Sequence, residues 1–144
     1  PNVEVIAGVA TAGIPQGALI AERLGLPFIY VRSKAKSHGM TNLIEGKVVK
    51  GQKCVVIEDL ISTGGSSLKA AADLREAEIE VVGMAAIFTY GFDVATKKFE
   101  EANVSLACLT DYPTMIDAAI EANYVQANQL ENLNKWRESP STWG

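Results

Sequence analysis

Five short apolar runs, at residues 3–9, 28–31, 54–57, 81–90 and 104–109, constrain the fold of this chain more than any other feature. Each is continuous rather than alternating, as expected of strands buried on both faces. Helix-like stretches lie between them, at 16–24, from a turn at 61–67 to about 77, and at 93–102. Two more follow at 114–122 and 125–136, and the tail 140–144 reads as frayed. Pro15 marks a helix start and Gly25 a helix stop. This alternation predicts an α/β fold: a five-stranded, mainly parallel sheet with helices on both faces and further helices at the C-terminus. Residues 33–46 are polar, carry Gly39 and Gly46, and have no period. They read as a long exposed loop or a loose hairpin, a kind of segment that is often functional. In such a sheet the ligand site lies outside the carboxyl ends of the strands. Three segments converge there: 8–13, 32–46 and 58–67.

The chain has 144 residues, 48% of them hydrophobic and 21% charged, which suits one domain over 1–144 with a sizeable core. Its net charge of −4 argues against a general nucleic-acid binder. Charge is unevenly placed, however. Arg32, Lys34, Lys36, Lys47, Lys50 and Lys53 share one stretch with the sole histidine, His38, and with a single acid, Glu45. A cationic segment on an acidic protein points to a small anionic ligand. Cys54 and Cys108 each sit in a β-like run and read as two buried thiols, without zinc-type spacing. No apolar run reaches the roughly 18 residues of a membrane span and no signal peptide is visible, so a cytoplasmic location is expected. The chain opens at Pro1 and enters a strand at once, which reads as a fragment lacking its N-terminal part.

The segment 55–67 carries the strongest chemistry. An apolar strand delivers two adjacent carboxylates, Glu58 and Asp59, to its carboxyl end. Leu60 and Ile61 follow, then a hydroxyl- and glycine-rich turn, Ser62-Thr63-Gly64-Gly65-Ser66-Ser67, opens a helix. Unpaired N–H groups at a helix N-terminus favour an anion. Gly64 and Gly65 permit close backbone approach, and Ser62, Thr63 and Ser66 add hydroxyls. A phosphate monoester fits that cup, while carboxylates suit sugar hydroxyls. Together they specify ribose 5-phosphate. A plain helix cap would use similar residues, yet it needs neither two glycines nor a carboxylate pair. A nucleoside triphosphate loop is excluded, because no Gly-Lys-Ser/Thr follows the glycines. Gly8 and Gly13 have that loop's spacing, but Ile14 and Pro15 follow.

This segment resembles the phosphoribosyl pyrophosphate motif of the type I phosphoribosyltransferases. The run Arg32-Ser33-Lys34-Ala35-Lys36-Ser37-His38-Gly39, with Ile44-Glu45-Gly46, resembles the catalytic loop of the orotate branch of that family. The resemblance spans nearly the whole chain. It implies transfer of ribose 5-phosphate from phosphoribosyl pyrophosphate to orotate, giving orotidine 5′-phosphate and pyrophosphate. It also implies a Mg²⁺ cofactor held mainly through substrate rather than by a protein metal site. A homodimer follows, with each loop closing over the neighbouring subunit's site. Carried over by position, Arg32, Lys36 and His38 contact the pyrophosphate, and Lys36 and Asp59 are the catalytic candidates. Glu58 and Asp59 hold the ribose hydroxyls. The segment Leu60, Ile61, Ser62, Thr63, Gly64, Gly65 and Ser66 completes the donor site, with Ser62 also on orotate. Residues 10–13 match the pyrophosphate loop.

Three positions depart from the family pattern. Ser33 stands where a second basic residue is common, Ala12 where some members have lysine, and residues 89–92 lack an arginine that some use for orotate. The family's N-terminal segment that roofs the base is absent from residues 1–144. Two alternatives remain open from sequence: a phosphoribosyltransferase for another base, such as a purine, and a non-catalytic donor-sensing regulator. The Lys36–Gly39 run opposes the first, and the acidic composition opposes a DNA-bound form of the second.

Overall fold

In a computed structural model, which describes residues 2–33 and 43–140, six strands form one sheet. They are β1 (Val5–Val9), β2 (Phe28–Val31), β3 (Ile44–Glu45), β4 (Lys53–Ile61), β5 (Glu80–Thr89) and β6 (Leu106–Asp111). Their order is β3-β2-β1-β4-β5-β6. Every pairing is parallel except β2 with β3, where Tyr30 faces Glu45 and Val31 faces Ile44. The sheet therefore has six strands rather than the five expected. The extra one is two residues long, too short to leave a periodic signal, and it is the returning limb of the 33–46 segment.

The helices are α1 (Gly13–Leu24), α2 (Gly65–Glu76), α3 (Asp93–Glu101), α4 (Tyr112–Glu121) and α5 (Leu130–Glu138), with a short 3₁₀ turn at Ala127–Gln129 before α5. The last stretch expected as one helix over 125–136 is thus split. Helix α1 starts at Gly13, earlier than residue 16, for a packing reason. Its buried residues Gly13, Gly17 and Ala21 lie four apart, so one smooth stripe faces the sheet. A Cβ on Gly13 would lie 2.4 Å from the Ile57 carbonyl oxygen, so only glycine lets α1 cross β4 this closely.

Helices cover both faces, unequally. On one side, Ala70, Ala71 and Leu74 of α2 and Ala95 and Phe99 of α3 pack on Val5, Ala7, Val31, Val56, Met84 and Ala86. On the other, α1 covers Ile6, Ile57, Phe28 and Ala85. By strand alternation Ile87 and Leu109 share that second face, and they are exposed, Leu109 at 84%. Cys54 is fully buried, which pushes its thiol up to about 12. Cys108 is only half-buried, contrary to expectation, because β6 is an edge strand.

Candidate active site

Strand β4 runs on past the point where its apolar run pauses. Glu58 and Asp59 lie inside it rather than at its tip, because Leu60 and Ile61 continue the ladder opposite Phe88 and Thr89. The two acids then differ in burial. Glu58 is 6% exposed: its Oε2 accepts from the Ser67 hydroxyl at 2.8 Å and its Oε1 from the Asp59 N–H at 3.1 Å. Asp59 is half-buried. Burial, reinforced by the adjacent Asp59 carboxyl, pushes the Glu58 carboxyl up from 4.5 to about 7, although the Ser67 bond opposes the rise. Ser67 is 2% exposed and anchors the first turn of α2 to the strand. The sequence placed Ser67 at the end of the glycine-rich turn but gave it no role, because its bond to Glu58 depends on how α2 packs.

The turn from β4 to α2 is Ser62, Thr63 and Gly64. Gly64 caps the helix in the left-handed region, with φ of 75°, and a Cβ there would lie 2.9 Å from the Phe99 ring. The first turn's backbone bonding begins at Leu68, whose N–H donates to the Gly64 carbonyl at 2.9 Å. The N–H groups of Gly65, Ser66 and Ser67 precede it and have no intrahelical acceptor. Thr63, Gly65 and Ser66 are exposed, and Ser62 is half-buried. This is an open, anion-seeking cup. Leu60 points outward, whereas the Ile61 side chain is fully buried. The Ile61 carbonyl accepts from Tyr90 N–H at 3.1 Å, fixing the floor of the cup to the end of β5.

Arg32 follows β2 directly. Its Nη1 donates to Glu45 Oε1 of β3 at 3.2 Å, so the edge strand positions the base of the cationic loop. Lys36 and His38 lie outside the described residues. Ala10, Thr11 and Ala12 form the turn after β1 and lead into α1. A small cavity joins this turn to Arg32, Ser33 and Ser66. The structure therefore brings Arg32, the 10–13 turn and the β4–α2 cup to one end of the sheet.

Residues 89–92 close the other side. Tyr90 stacks on Phe92 with centroids 5.3 Å apart and meets Trp136 edge-on at 5.5 Å. Arg137 Nε and Nη2 donate to the carbonyls of Tyr90 and Gly91 at 3.0 and 3.1 Å. Helix α5 is thereby tied to the turn beside the cup, a link invisible in the sequence, where these residues are far apart. Among the described residues no group of three or more His, Cys, Asp and Glu could cage a metal.

A parallel sheet whose central strand carries an acid pair into a glycine-rich anion cup defines a phosphoribosyl-binding protein. The phosphoribosyl transferase domain model matches residues 2–124, and the chain belongs to that family. It is similar to the orotate phosphoribosyltransferase of Cytophaga hutchinsonii, with 57% identity over 99% of this chain and 68% of the relative. It is 56% identical to the orotate phosphoribosyltransferase of Porphyromonas gingivalis over the same shares. The chain thus spans about two thirds of the length of these relatives. Among solved structures, the orotate phosphoribosyltransferase of Aeropyrum pernix superposes with a TM-score of 0.74 at 31% identity, covering 81% of this chain and 65% of that one.

Proposed function

We propose that this chain is the core of an orotate phosphoribosyltransferase, a pentosyltransferase that moves ribose 5-phosphate from phosphoribosyl pyrophosphate to orotate. The observation that carries the reading is the open cup at the β4–α2 turn, whose N–H groups have no partner within the helix while an acid stands on the strand before it. The cup takes the 5′-phosphate. Asp59, less buried than Glu58, accepts from the ribose hydroxyls and faces the positive charge that develops on the sugar. Ser62, beside Tyr90, meets orotate. Arg32, Lys36 and His38 offset the charge that develops on the departing pyrophosphate. Orotate's ring nitrogen attacks the anomeric carbon as an anion, so no strong protein base is needed.

Mg²⁺ fits this site as an ion carried by the donor, because the Glu58–Asp59 pair offers a carboxylate beside the sugar but no cage. When bound it supplies Lewis-acid charge to the donor's oxygens. Residues 1–144 act as one domain, in a cytoplasmic homodimer whose loops complete each other's sites. No helix among the described residues is long and apolar enough to cross a membrane.

The test is pyrophosphate release from phosphoribosyl pyrophosphate and Mg²⁺ with orotate, uracil, adenine or hypoxanthine as acceptor. Release with orotate alone is expected, and Lys36→Ala should lower kcat by about 10²–10³ while changing donor affinity little. Release with a purine but not orotate would overturn the reading.

A further inference from the structure

One face of α2 continues the cup inward. Ser66, Lys69 and Asp73 follow one another at three- and four-residue spacing, so they form a row along the helix. That row lines a cavity of about 80 Å³ with Ala10, Arg32 and Ser33, at the carboxyl ends of β1 and β2. Among the described residues lining this cavity, Arg32 and Lys69 are the cations: residues 10–13 are Ala, Thr, Ala and Gly, and Ser33 follows Arg32. Arg32 is engaged by Glu45 at 3.2 Å.

Lys69 Nζ donates to both Asp73 oxygens, at 2.9 and 2.7 Å. The pair is asymmetric: the Asp73 side chain is 14% exposed and that of Lys69 is 59% exposed. The carboxylate is sunk in the wall and the ammonium stands on its solvent side. An unneutralised Asp73 would repel an anion entering this cavity. An ammonium carries three N–H donors, so two bonds to Asp73 leave one for a ligand.

We propose that Lys69 is a ligand of the donor's pyrophosphate, a role that rests on the phosphoribosyl reading of the site. Asp73 aims its ammonium at the gap between the 10–13 turn and Arg32. The side chain thereby supplies a positive charge that the 10–13 turn lacks. Lys69 is therefore a binding residue for the leaving group as well as the neutraliser of Asp73.

Calorimetric titration with inorganic pyrophosphate and with phosphoribosyl pyrophosphate, each with Mg²⁺, tests this. Lys69→Gln should weaken both by about tenfold, as loss of one charge-assisted bond to phosphate would. Its melting temperature should stay near the parent's, since the substituted Lys69 end of the pair stands in solvent. Lys69→Arg should keep most of the affinity. The Lys69→Gln/Asp73→Asn double variant separates the two roles. If Lys69 binds pyrophosphate directly, the double variant stays weak. Recovery of parental affinity would overturn the proposal, because Lys69 would then only silence Asp73. Pyrophosphate affinity in Lys69→Gln within about twofold of the parent would overturn it too. A parent chain that binds neither anion would instead remove the phosphoribosyl reading itself, and this role with it.

Discussion

The two turns at the carboxyl ends of β4 and β5 share a backbone and differ in what is left unsatisfied. Each has three residues between strand and helix: Ser62, Thr63 and Gly64 before α2, and Tyr90, Gly91 and Phe92 before α3. Each holds one left-handed glycine, Gly64 at φ 75° and Gly91 at φ 66°. In the second turn the polar groups find partners inside the fold. Tyr90 N–H donates to the Ile61 carbonyl, Gly91 N–H to the Thr89 hydroxyl at 3.0 Å, and Arg137 caps the two carbonyls. Aromatic rings then seal it. The first turn keeps small side chains and N–H groups without intrahelical acceptors. The difference between a binding turn and a structural one thus lies in the bonding left open, not in the path of the chain.

Adding one methyl group to each glycine should separate the two turns most sharply. Gly64→Ala forces a left-handed alanine against the Phe99 ring, within the cup itself. Strain of about 1–3 kcal/mol at the binding backbone should raise the donor KM by roughly tenfold to a hundredfold. Gly91→Ala meets only the Arg137 guanidinium, 3.2 Å from the new Cβ, and should lower the melting temperature with little change in KM. Equal effects on KM would erase the distinction.

Trp136→Ala removes the ring that packs on Tyr90, Phe92 and Tyr112. Full burial of such a ring would make truncation cost about 3–5 kcal/mol, and a half-buried one less, about 2 kcal/mol by chemical denaturation. Donor affinity measured on the folded variant should stay near the parent's. A large loss of affinity at full folding would mean that the sealed turn also serves the ligand.

A further effect concerns pH. Between 4.5 and about 7 the folded chain holds a proton on Glu58 that the unfolded chain has released. This part of the stability is therefore complete below 4.5 and is lost as pH rises toward 7. Glu58→Gln should flatten that slope in a denaturation series across the window. An unchanged slope would place the titration elsewhere.

The first turn was legible in the sequence because its chemistry is local: hydroxyls, two glycines and two acids on one strand and one helix start. Two features of the same segment were not. Glu58 and Asp59 look equivalent as neighbours, and only the fold buries the first and leaves the second half-buried. Ser67 ends the recognisable run and Lys69 sits beyond it, and their roles depend on what α2 packs against. The second turn was read only as a place where an arginine is missing. Its partner Arg137 reaches it from 46 residues away, which no spacing rule anticipates. The α/β alternation was plain from the apolar runs. The two-residue β3 was not, since its existence depends on pairing with β2.

The strand order also sets a sequence of events in synthesis. Strand β1 lies between β2 and β4, and Val5 waits for Cys54 to close its inner edge. Once β1, α1 and β2 have emerged, the inner edge of β1 is bare until β4 arrives, open to pairing with a neighbour. Emergence of β4 covers that edge and delivers the cup in the same stroke. Tyr90, arriving later, secures the cup's floor at Ile61. The cup is thus in place before α3, β6, α4 and α5 have emerged.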